Sequence, residues 1–283
     1  MRLGRGTSDL QEGDLFGEYR VQERLGEGAM GTVYRAIRDL ETTPVALKLV
    51  KAEFATDGLY RQRFLHEARA ASEVSHPHLV NVVDAGEVDG RQFLVMRLVS
   101  GRPLDKVVKA GDLLDPPTAA QLADQIGDAL DALHAKGVMH RDVKAANILL
   151  QDDGSAALTD FGLAKGTGYQ GLTAVGQIVG TIEYLAPERI TGQEAAPASD
   201  IYALGCVIYE SLVGRTPFAG KGPMGTAFGH LEEDPPDPRL TRADIPPAFT
   251  AAVLAGLAKD PAERPSTARE YGRGLLQAVH DTR

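Results

Sequence analysis

Apolar and polar residues alternate along the first third of the chain in the manner of β-strands. The alternation is found in YRVQERLG (19–26) and TVYRAIRD (32–39), and further strand candidates are VALKLVK (45–51) and LVNVVDAGEVDGRQFLVMRLV (79–99). The first two segments flank a glycine-rich turn and predict a hairpin, while the last predicts two strands around a turn at Val88-Asp89-Gly90. One helix is predicted at 58–74, where apolar residues recur at helical spacing until His76-Pro77 ends the pattern.

Helical periodicity replaces this alternation after about Gly101. The longest helix is predicted over DPPTAAQLADQIGDALDALHAKG (115–137), with proline at its start and Gly137 at its end. Further helices are predicted at 198–214, 248–258 and 266–280, with proline-rich loops at 234–238 and 246–247. A small strand-rich part therefore precedes a larger helical part, with a boundary near 97–101, and a ligand cleft between two such parts is expected.

Composition limits the classes of function more than it limits the fold. The 283 residues are 43% hydrophobic and 24% charged, which is ordinary for a globular protein, and the net charge of −9 argues against a nucleic-acid-binding surface. No run of about 18 apolar residues predicts a membrane span, and the polar start of the chain does not resemble a signal peptide. The single cysteine, Cys206, lies in an apolar run, which favours a buried small residue over a nucleophile.

Three glycines in the predicted hairpin have the spacing of a phosphate-binding loop. In Gly26-Glu27-Gly28-Ala29-Met30-Gly31, missing side chains would let backbone N–H groups approach phosphate oxygens. Three interpretations stay open from this motif alone: a phosphate-covering strand–loop–strand of the kinase type, a plain hairpin turn, and dinucleotide binding. The last requires a helix after the glycines, whereas a strand pattern follows them here.

Lys48 lies inside the apolar strand segment Val45–Lys48, where an ammonium group is costly without a partner. It either extends towards solvent from an edge strand or pairs with phosphates and with a glutamate of the following helix. Glu67 is the favoured partner because it lies in mid-helix near the apolar face, whereas Glu53 and Glu73 lie at the helix approaches. A solvated Glu67 without this role is the alternative.

The most specific signal is the run His140–Asn147 (HRDVKAAN) followed by Asp160-Phe161-Gly162. Phosphoryl transfer needs charge neutralisation, in-line positioning and an acceptor for the hydroxyl proton. Asp142 can accept that proton, and Lys144 can stabilise charge on the transferred group. Asn147 and Asp160 offer the hard oxygen ligands that Mg²⁺ favours. A lone aspartate in a loop is usually a turn residue, but this order and spacing predict ATP–Mg²⁺ chemistry.

On these motifs the chain resembles a eukaryotic-type (Hanks-type) serine/threonine protein kinase domain, and more narrowly the bacterial, actinobacterial receptor-kinase branch. The resemblance covers about residues 19–280, and its motif roles are those of the kinase template. It implies an α+β, bilobal protein kinase fold. The implied parts are a flexible N-terminal extension (1–17), a small antiparallel-sheet N-lobe with one main helix (18–98) and a larger, mostly helical C-lobe (99–283).

The resemblance also implies an ATP site. Ala46 and Leu149 would enclose the adenine, Met96 would take the gatekeeper place, and the backbone of Arg97 and Val99 would hold the adenine edge. The implied ATP-binding set is Leu25, Gly26, Glu27, Gly28, Ala29, Met30, Gly31, Thr32, Val33, Ala46, Lys48, Met96, Arg97, Val99 and Leu149. The implied catalytic residues are Asp142, Lys144, Lys48 and Glu67, and the implied metal ligands are Asn147 and Asp160.

Further residues are implied to hold this site together. His140 would pack under Phe161, and Asp200 would bind the backbone of the catalytic loop, which is the run His140–Asn147. Glu188, in the motif Ala186-Pro187-Glu188, would pair with Arg264.

Regulatory residues are implied as well. Arg141 would bind the activation loop, within residues 162–185, once that loop is phosphorylated, since a phosphate adds about −2 charge and strong acceptor oxygens. Thr173 is the expected autophosphorylation site, with an exposed threonine of no role as the alternative. Val175 stands where a second threonine is common, which speaks against dual-site activation. Thr181 would bond to the Asp142 and Lys144 pair.

Lys144 and the segment 180–185 (GTIEYL) resemble the serine/threonine type rather than the tyrosine type. The implied cofactors are ATP and Mg²⁺, with Mn²⁺ as a substitute. The implied partners are protein substrates and a second copy bound through the N-lobe, with no nucleic acid and no membrane contact from this segment. The expected location is cytoplasmic, as a domain of a longer single-pass membrane kinase.

Departures from the pattern are few. Ala145 replaces a common proline, and Arg97 replaces a common acidic residue, but adenine contacts there are mainly to backbone, so ATP binding is still expected. A pseudokinase would normally lack Lys48, Asp142 or Asp160, all of which are present. The activation segment argues against a small-molecule kinase, and the missing βαβ context argues against an oxidoreductase.

Overall fold

The alternating segments form an antiparallel sheet in the first of two units. The computed structural model describes residues 9–28, 31–51, 58–160 and 182–281. The first unit comprises the residues up to Ser75 together with Val80–Val99, and the second comprises His76–Leu79 together with Ser100 onwards. The boundary thus falls one residue after the predicted end at 98, and a short piece of the predicted N-lobe belongs to the second unit.

The strands of the first unit follow the predicted segments. They are β1 (Leu15–Phe16), β2 (Tyr19–Gly28), β3 (Gly31–Arg38), β4 (Pro44–Val50), β5 (Val82–Val88) and β6 (Arg91–Arg97). Among the described residues the sheet order is β1-β2-β3-β4-β6-β5, with antiparallel neighbours throughout. Because side chains alternate across a strand, one face gathers an apolar cluster that includes Tyr34, Leu47 and Phe93. Helix α1 (Gly58–Ser72) packs against β5 and confirms the predicted helix.

Residues 9–17 differ from the flexible extension that the sequence predicts. The backbone N–H of Gly13 donates to the Val21 carbonyl, and that of Val21 donates to the Asp14 carbonyl, both at 2.9 Å. Leu10 is partly buried against the apolar cluster, and β1 pairs with β2. A polar segment becomes ordered here because the edge of a sheet offers unpaired backbone groups that it can satisfy. The first eight residues lie outside the described ranges.

Helices dominate the second unit. They are α2 (Leu104–Lys109), α3 (Pro116–His134), α4 (Pro187–Ile190), α5 (Pro197–Val213), α6 (Gly222–Glu232), α7 (Pro247–Ala255) and α8 (Ala268–His280). Every residue of α5 from Ser199 to Val213 is buried, including Cys206 as expected. Helices α3 and α8 pack closely, since a Cβ at Gly127 would lie 2.4 Å from the Ala268 carbonyl oxygen. Helices α2, α4 and α6 were not predicted.

A small antiparallel sheet completes the second unit: β7 (Arg102–Pro103), β8 (Ile148–Leu150) and β9 (Ala156–Leu158). The segment His76–Leu79 is bound to this sheet, because the Leu158 N–H donates to the His78 carbonyl at 2.9 Å. The His78 Nδ1–H in turn donates to the Ala156 carbonyl at 2.8 Å. Over the described ranges, no helix has both the length and the apolar character that a membrane crossing requires.

Candidate active site

The structure brings Asp142, Lys144 and Asn147 together on the loop between α3 and β8. Lys144 Nζ lies 2.8 Å from Asp142 Oδ2, and Asn147 Nδ2 donates to the same oxygen at 3.0 Å. Asn147 Nδ2 also donates to the Asp142 backbone carbonyl at 2.8 Å, within a 3₁₀ turn at Ala145–Asn147. Asp142 is only 9% exposed. Two donors on one carboxylate oxygen fix the orientation of Asp142, as a proton acceptor in a positioned reaction requires.

The predicted metal ligands have suitable chemistry. The Asn147 amide nitrogen is used for Asp142, which leaves its carbonyl oxygen as the group that can serve as a hard ligand. The Thr159 N–H donates to the backbone carbonyl of Asn147 at 2.9 Å, so Asn147 lies beside the residue that precedes Asp160. Asp160 has a φ of 60°, a left-handed backbone conformation that non-glycine residues seldom adopt and that is often found at functional sites.

A buried aspartate, Asp200 on α5, anchors the catalytic loop by accepting hydrogen bonds from its backbone. Its carboxylate accepts the backbone N–H groups of His140 and Arg141, each at 2.9 Å. These bonds hold Arg141 at a φ of 63°, which is unfavourable for a residue with a Cβ. The predicted contact between Asp200 and the loop backbone is therefore present.

His134 at the end of α3 completes this anchor and was not predicted. Its Nε2 lies 2.9 Å from Asp200 Oδ2, and both side chains are buried. Burial acts to raise the pKa of Asp200, but the hydrogen bond and charge of His134 outweigh it and leave the pKa below its ordinary value. Asp200 thus stays charged and can accept all three donors. No spacing rule links residues so distant in sequence, so only the packing of α3 on α5 reveals His134.

His140 occupies the centre of the loop with no exposed surface. Burial is the main reason that its pKa is lowered, so the imidazole is neutral near pH 7. Its Nε2–H donates to the Thr159 carbonyl at 3.1 Å, which ties the catalytic loop to the strand end before Asp160. The predicted partner Phe161 lies outside the described residues, as do Thr173, Thr181, Ala29 and Met30.

Glu188 and Arg264 form the predicted ion pair, and it is buried. The two guanidinium nitrogens of Arg264 lie 2.8 and 2.9 Å from the two Glu188 oxygens. Ser199 Oγ also donates to Glu188 at 2.7 Å, a contact that the sequence did not predict. Burial would raise the pKa of Glu188, but Arg264 outweighs it and lowers the pKa. The pair connects α4, α5 and the segment before α8 at one point.

Another buried carboxylate lies near the loop and was also missed. The Tyr184 hydroxyl donates to Glu210 Oε2 on α5, and burial raises the pKa of Glu210. Tyr184 lines a pocket of the second unit together with Arg141, Asp142, Lys144 and Arg189. The pocket places a buried tyrosine beside the predicted catalytic residues Asp142 and Lys144.

In the first unit, the glycine-rich hairpin is formed by β2 and β3. A Cβ at Gly31 would lie 2.1 Å from the Leu49 carbonyl oxygen, so the fold itself requires glycine there. Among the described residues, a Cβ at Gly26 would meet nothing within 4 Å, and one at Gly28 only the Gly31 carbonyl at 3.9 Å. Packing does not explain these two glycines, whereas a phosphate approaching the backbone would. These residues therefore fit a nucleotide.

Lys48 lies on β4, which is an interior strand between β3 and β6, so extension from an edge strand is excluded. It is partly buried and opposite Val33 and Leu94 in the strand register. Glu67 is partly buried on α1, next to the fully buried Ala68. Glu67 is therefore at the edge of the buried face of α1, which disfavours a fully solvated side chain.

The predicted adenine-contacting residues divide between the two units. Ala46 and Met96 are buried and opposite each other on β4 and β6. The Arg97 N–H donates to the Asn81 carbonyl at 2.9 Å, so this N–H is already paired. The backbone carbonyl of Arg97 is therefore the group that could accept a hydrogen bond from an adenine amino group. Leu149 lies on β8 of the second unit and is partly buried.

Comparisons with known proteins identify similar sequences and a similar fold. The family model described as "Protein kinase domain" matches residues 19–273. Serine/threonine-protein kinase PknH of Mycobacterium tuberculosis is 44% identical over 275 residues, covering 97% of this chain and 44% of that protein. The chain thus spans less than half the length of this relative.

Solved structures share the fold. The crystal structure of the Mycobacterium tuberculosis PknI kinase domain aligns with a TM-score of 0.78 and 27% identity, covering 96% of this chain and 100% of the other. A crystal structure of Rad53 1-466 in complex with AMP-PNP aligns with a TM-score of 0.74 and 26% identity, covering 92% and 65%. The alternation and the helical periodicity of the sequence therefore belong to a fold with experimental counterparts.

Proposed function

Since the chain belongs to the protein kinase domain family, we propose that it transfers the γ-phosphoryl group of ATP to serine and threonine hydroxyls of proteins. The observation that carries the proposal is Asp142, oriented by Lys144 and Asn147 on a loop that Asp200 anchors. This arrangement supplies a fixed proton acceptor beside a cation, which is what in-line phosphoryl transfer requires. The relative PknH, named a serine/threonine-protein kinase, supports the acceptor class.

In the proposed reaction, the substrate hydroxyl oxygen attacks the γ-phosphorus while its proton passes to the Asp142 carboxylate. The bond between the γ-phosphorus and the bridging oxygen breaks, and ADP leaves with that electron pair. Lys144 lies 2.8 Å from Asp142 and would offset negative charge on the transferred group. The neutral His140 takes no part in the proton transfer and serves to tie the loop to the strand end before Asp160.

We assign Asn147 and Asp160 as the ligands of Mg²⁺, for which Mn²⁺ could substitute. When bound, the cation neutralises phosphate charge. Lys48, paired with Glu67, would hold the phosphates, and the glycine-rich hairpin would cover them. Gly26 and Gly28 support this assignment because no atom of the residues that the structure describes crowds their Cβ positions. The AMP-PNP complex of Rad53 adds support for nucleotide binding by this fold.

The remaining adenine site would combine Leu25, Val33, Ala46, Met96 and Leu149, with backbone groups of Arg97 and Val99. Leu25 is 47% exposed beside a strand irregularity, so an adenine that covers it would remove apolar surface from water. Ala29, Met30 and Thr32 complete the assigned set in the glycine-rich hairpin. No chemistry beyond shape and backbone hydrogen bonding is required of these residues.

For regulation, we propose that phosphorylation of Thr173 activates the kinase through Arg141, and that Thr181 bonds to the Asp142 and Lys144 pair. The left-handed backbone of Arg141, held by Asp200, gives its side chain a defined origin. Mass spectrometry of the purified protein is expected to find phosphate on Thr173. We further propose a cytoplasmic kinase domain of a longer receptor, with a dimer formed through the N-lobe.

The test of the main proposal is transfer of ³²P from [γ-³²P]ATP to a generic basic protein by wild type and Asp142→Asn. We expect the variant to lose about a thousandfold in kcat, the size of a general-base contribution. Asp153→Asn is the matched control, because Asp153 lies in the exposed turn after β8 and its carboxylate accepts hydrogen bonds from Ser155 of the same turn. Equal ³²P signals from Asp142→Asn and wild type would refute the proposal that the protein is an enzyme and would favour a binding module.

A further inference from the structure

The residues Asp9–Asp14, which we call the N-terminal strap, are fixed to the sheet of the first unit by a buried tyrosine. The Leu10 N–H donates to Tyr34 Oη at 3.1 Å, and Tyr34 Oη donates to Asp9 Oδ1 at 3.4 Å. Tyr34 has no exposed surface. Backbone bonds between the strap and Val21 fix its other end. The strap therefore has a defined position relative to β2 and β3.

A chain of four charges of alternating sign runs from the strap to the glycine-rich hairpin. Asp9 Oδ2 lies 3.3 Å from Arg24 Nη1, and Arg24 Nη2 contacts Glu27 Oε2. Glu27 Oε1 in turn lies 3.3 Å from Lys51 Nζ, at the end of β4. The guanidinium of Arg24 thus lies between two carboxylates, and Glu27 lies between two cations. Ion pairs therefore link the hairpin both to the strap and to the end of β4.

Glu27 is the only residue of Gly26–Gly28 that has a side chain through which this part of the hairpin can be held. The strand pairing is irregular between Arg24 and Gly26, which weakens the backbone restraint at the same place. The pKa of Glu27 is lowered by Lys51 and then by Arg24, so its carboxylate is charged at neutral pH. Glycine gives the hairpin conformational freedom that is lost when a nucleotide binds. Ion pairs that already restrain the hairpin reduce this entropic cost of binding.

We infer that Asp9 is a positioning residue for nucleotide binding, which acts through Arg24 and Glu27 on the conformation of the glycine-rich hairpin. Asp9 itself does not touch ATP in this mechanism. The inference rests on the ATP-dependent transfer proposed above. Its signature is a change in the affinity for ATP with little change in kcat, because the catalytic groups Asp142 and Lys144 lie outside this chain of charges.

The test compares Asp9→Asn with wild type at low ionic strength. We expect the KM for ATP to rise about threefold, which is the size of effect expected from the loss of an exposed ion pair. The kcat should stay nearly unchanged. In about 0.5 M NaCl the difference should disappear, because screening weakens the wild-type pair too. Asp9→Glu should restore the wild-type KM. The matched control is Asp39→Asn, which removes an exposed carboxylate 3.9 Å from Arg20 on the same sheet and should leave KM unchanged.

A second variant separates the proposed path from general destabilisation. Arg24→Gln should raise KM at least as much as Asp9→Asn, and the double variant should add nothing beyond Arg24→Gln alone. An unchanged KM in Asp9→Asn, or a rise that persists in high salt, would overturn the inference. Calorimetric Kd values for ATP keep it distinct from the proposed function: a threefold shift in Kd supports the inference even if no phosphate transfer is observed.

Discussion

The catalytic loop and the glycine-rich hairpin are held in place by opposite means. Asp200, which anchors the catalytic loop, is 3% exposed and accepts three donors. Glu27, which holds the hairpin, has a side chain that is 48% exposed and contacts two flexible cations. Buried networks lose several kcal/mol when one partner is removed, whereas exposed pairs contribute about 1 kcal/mol or less. The structure therefore combines a loop at Asp142 that is anchored by buried hydrogen bonds with a hairpin at Gly26–Gly28 that is held by weaker, exposed ion pairs.

The strongest test of the buried side of this comparison is Arg264→Met. It leaves the Glu188 carboxylate buried with Ser199 as its remaining side-chain donor, and we expect a loss of about 3–5 kcal/mol in the free energy of unfolding. Urea denaturation monitored by circular dichroism measures this loss. Arg239→Met is the control, because Arg239 pairs with Asp237 at the surface and should cost less than about 1 kcal/mol. Similar losses in both variants would remove the distinction between buried and exposed pairs.

The next largest effect is expected from Asp200→Asn. An amide cannot accept both backbone N–H groups and His134, so the loop should shift and kcat should fall about a hundredfold, the cost of a small misplacement. Steady-state kinetics measures kcat, and the KM for ATP should change little. Asp115→Asn is the control, since Asp115 accepts one N–H as the cap of α3 and asparagine caps equally well.

The same substitution has a consequence for acid stability. The pKa of Asp200 is below its ordinary value of 3.8 in the folded protein. The stability that Asp200 contributes is therefore present above that value and is lost as the pH falls through the lowered pKa. Asp200→Asn should flatten the fall in stability at acidic pH. A variant that denatures with the same acid profile as wild type would show that Asp200 is not a main source of that fall.

The smallest effects separate two kinds of glycine in the hairpin. Gly31→Ala should destabilise the first unit by about 1–3 kcal/mol, because its Cβ would overlap the Leu49 carbonyl. Gly26→Ala should leave the melting temperature unchanged, because its Cβ meets no atom in the described part of the chain, and should raise the KM for ATP, because a Cβ would keep phosphate from the backbone. Thermal unfolding and steady-state kinetics measure the two outcomes. A melting temperature lowered equally by both variants would show that glycine at both positions serves the fold.

Periodicity predicted the long elements of this fold, and it failed where local sequence and tertiary structure disagree. The alternation of 19–26 and the helical spacing of 115–137 correspond to β2 and α3. Helix α6 was missed because GPMGTAFGHLE contains three glycines and a proline, which favour a loop when judged locally. Burial of Thr226, Ala227 and His230 stabilises this helix nonetheless. The ordering of residues 9–17 was missed because it depends on pairing with β2 and on the Tyr34 hydroxyl, contacts that the polar composition of this segment does not indicate.

The candidate site shows the same limit. Asp142, Lys144 and Asn147 were predicted because they lie within one short run, and the structure places them in contact. The pairs Asp200 with the loop and Glu188 with Arg264 came from the family resemblance, since no local pattern joins them. His134 was missed because its role exists only after α3 and α5 have packed, and Ser199 because its role requires α4 to lie beside α5. Sequence motifs identify the reacting groups, and tertiary structure identifies what holds them.

The assignment of His76–Leu79 to the second unit means that no single cut in the chain separates the two units. A fragment that ends at Val99 would carry the segment without β9, its hydrogen-bonding partner, and would expose Leu79, which has no exposed surface in the whole protein. During synthesis, these four residues leave the ribosome long before the strand that receives them. The segment that binds β9 is therefore synthesised between two stretches of chain that belong to the first unit, although it belongs to the second.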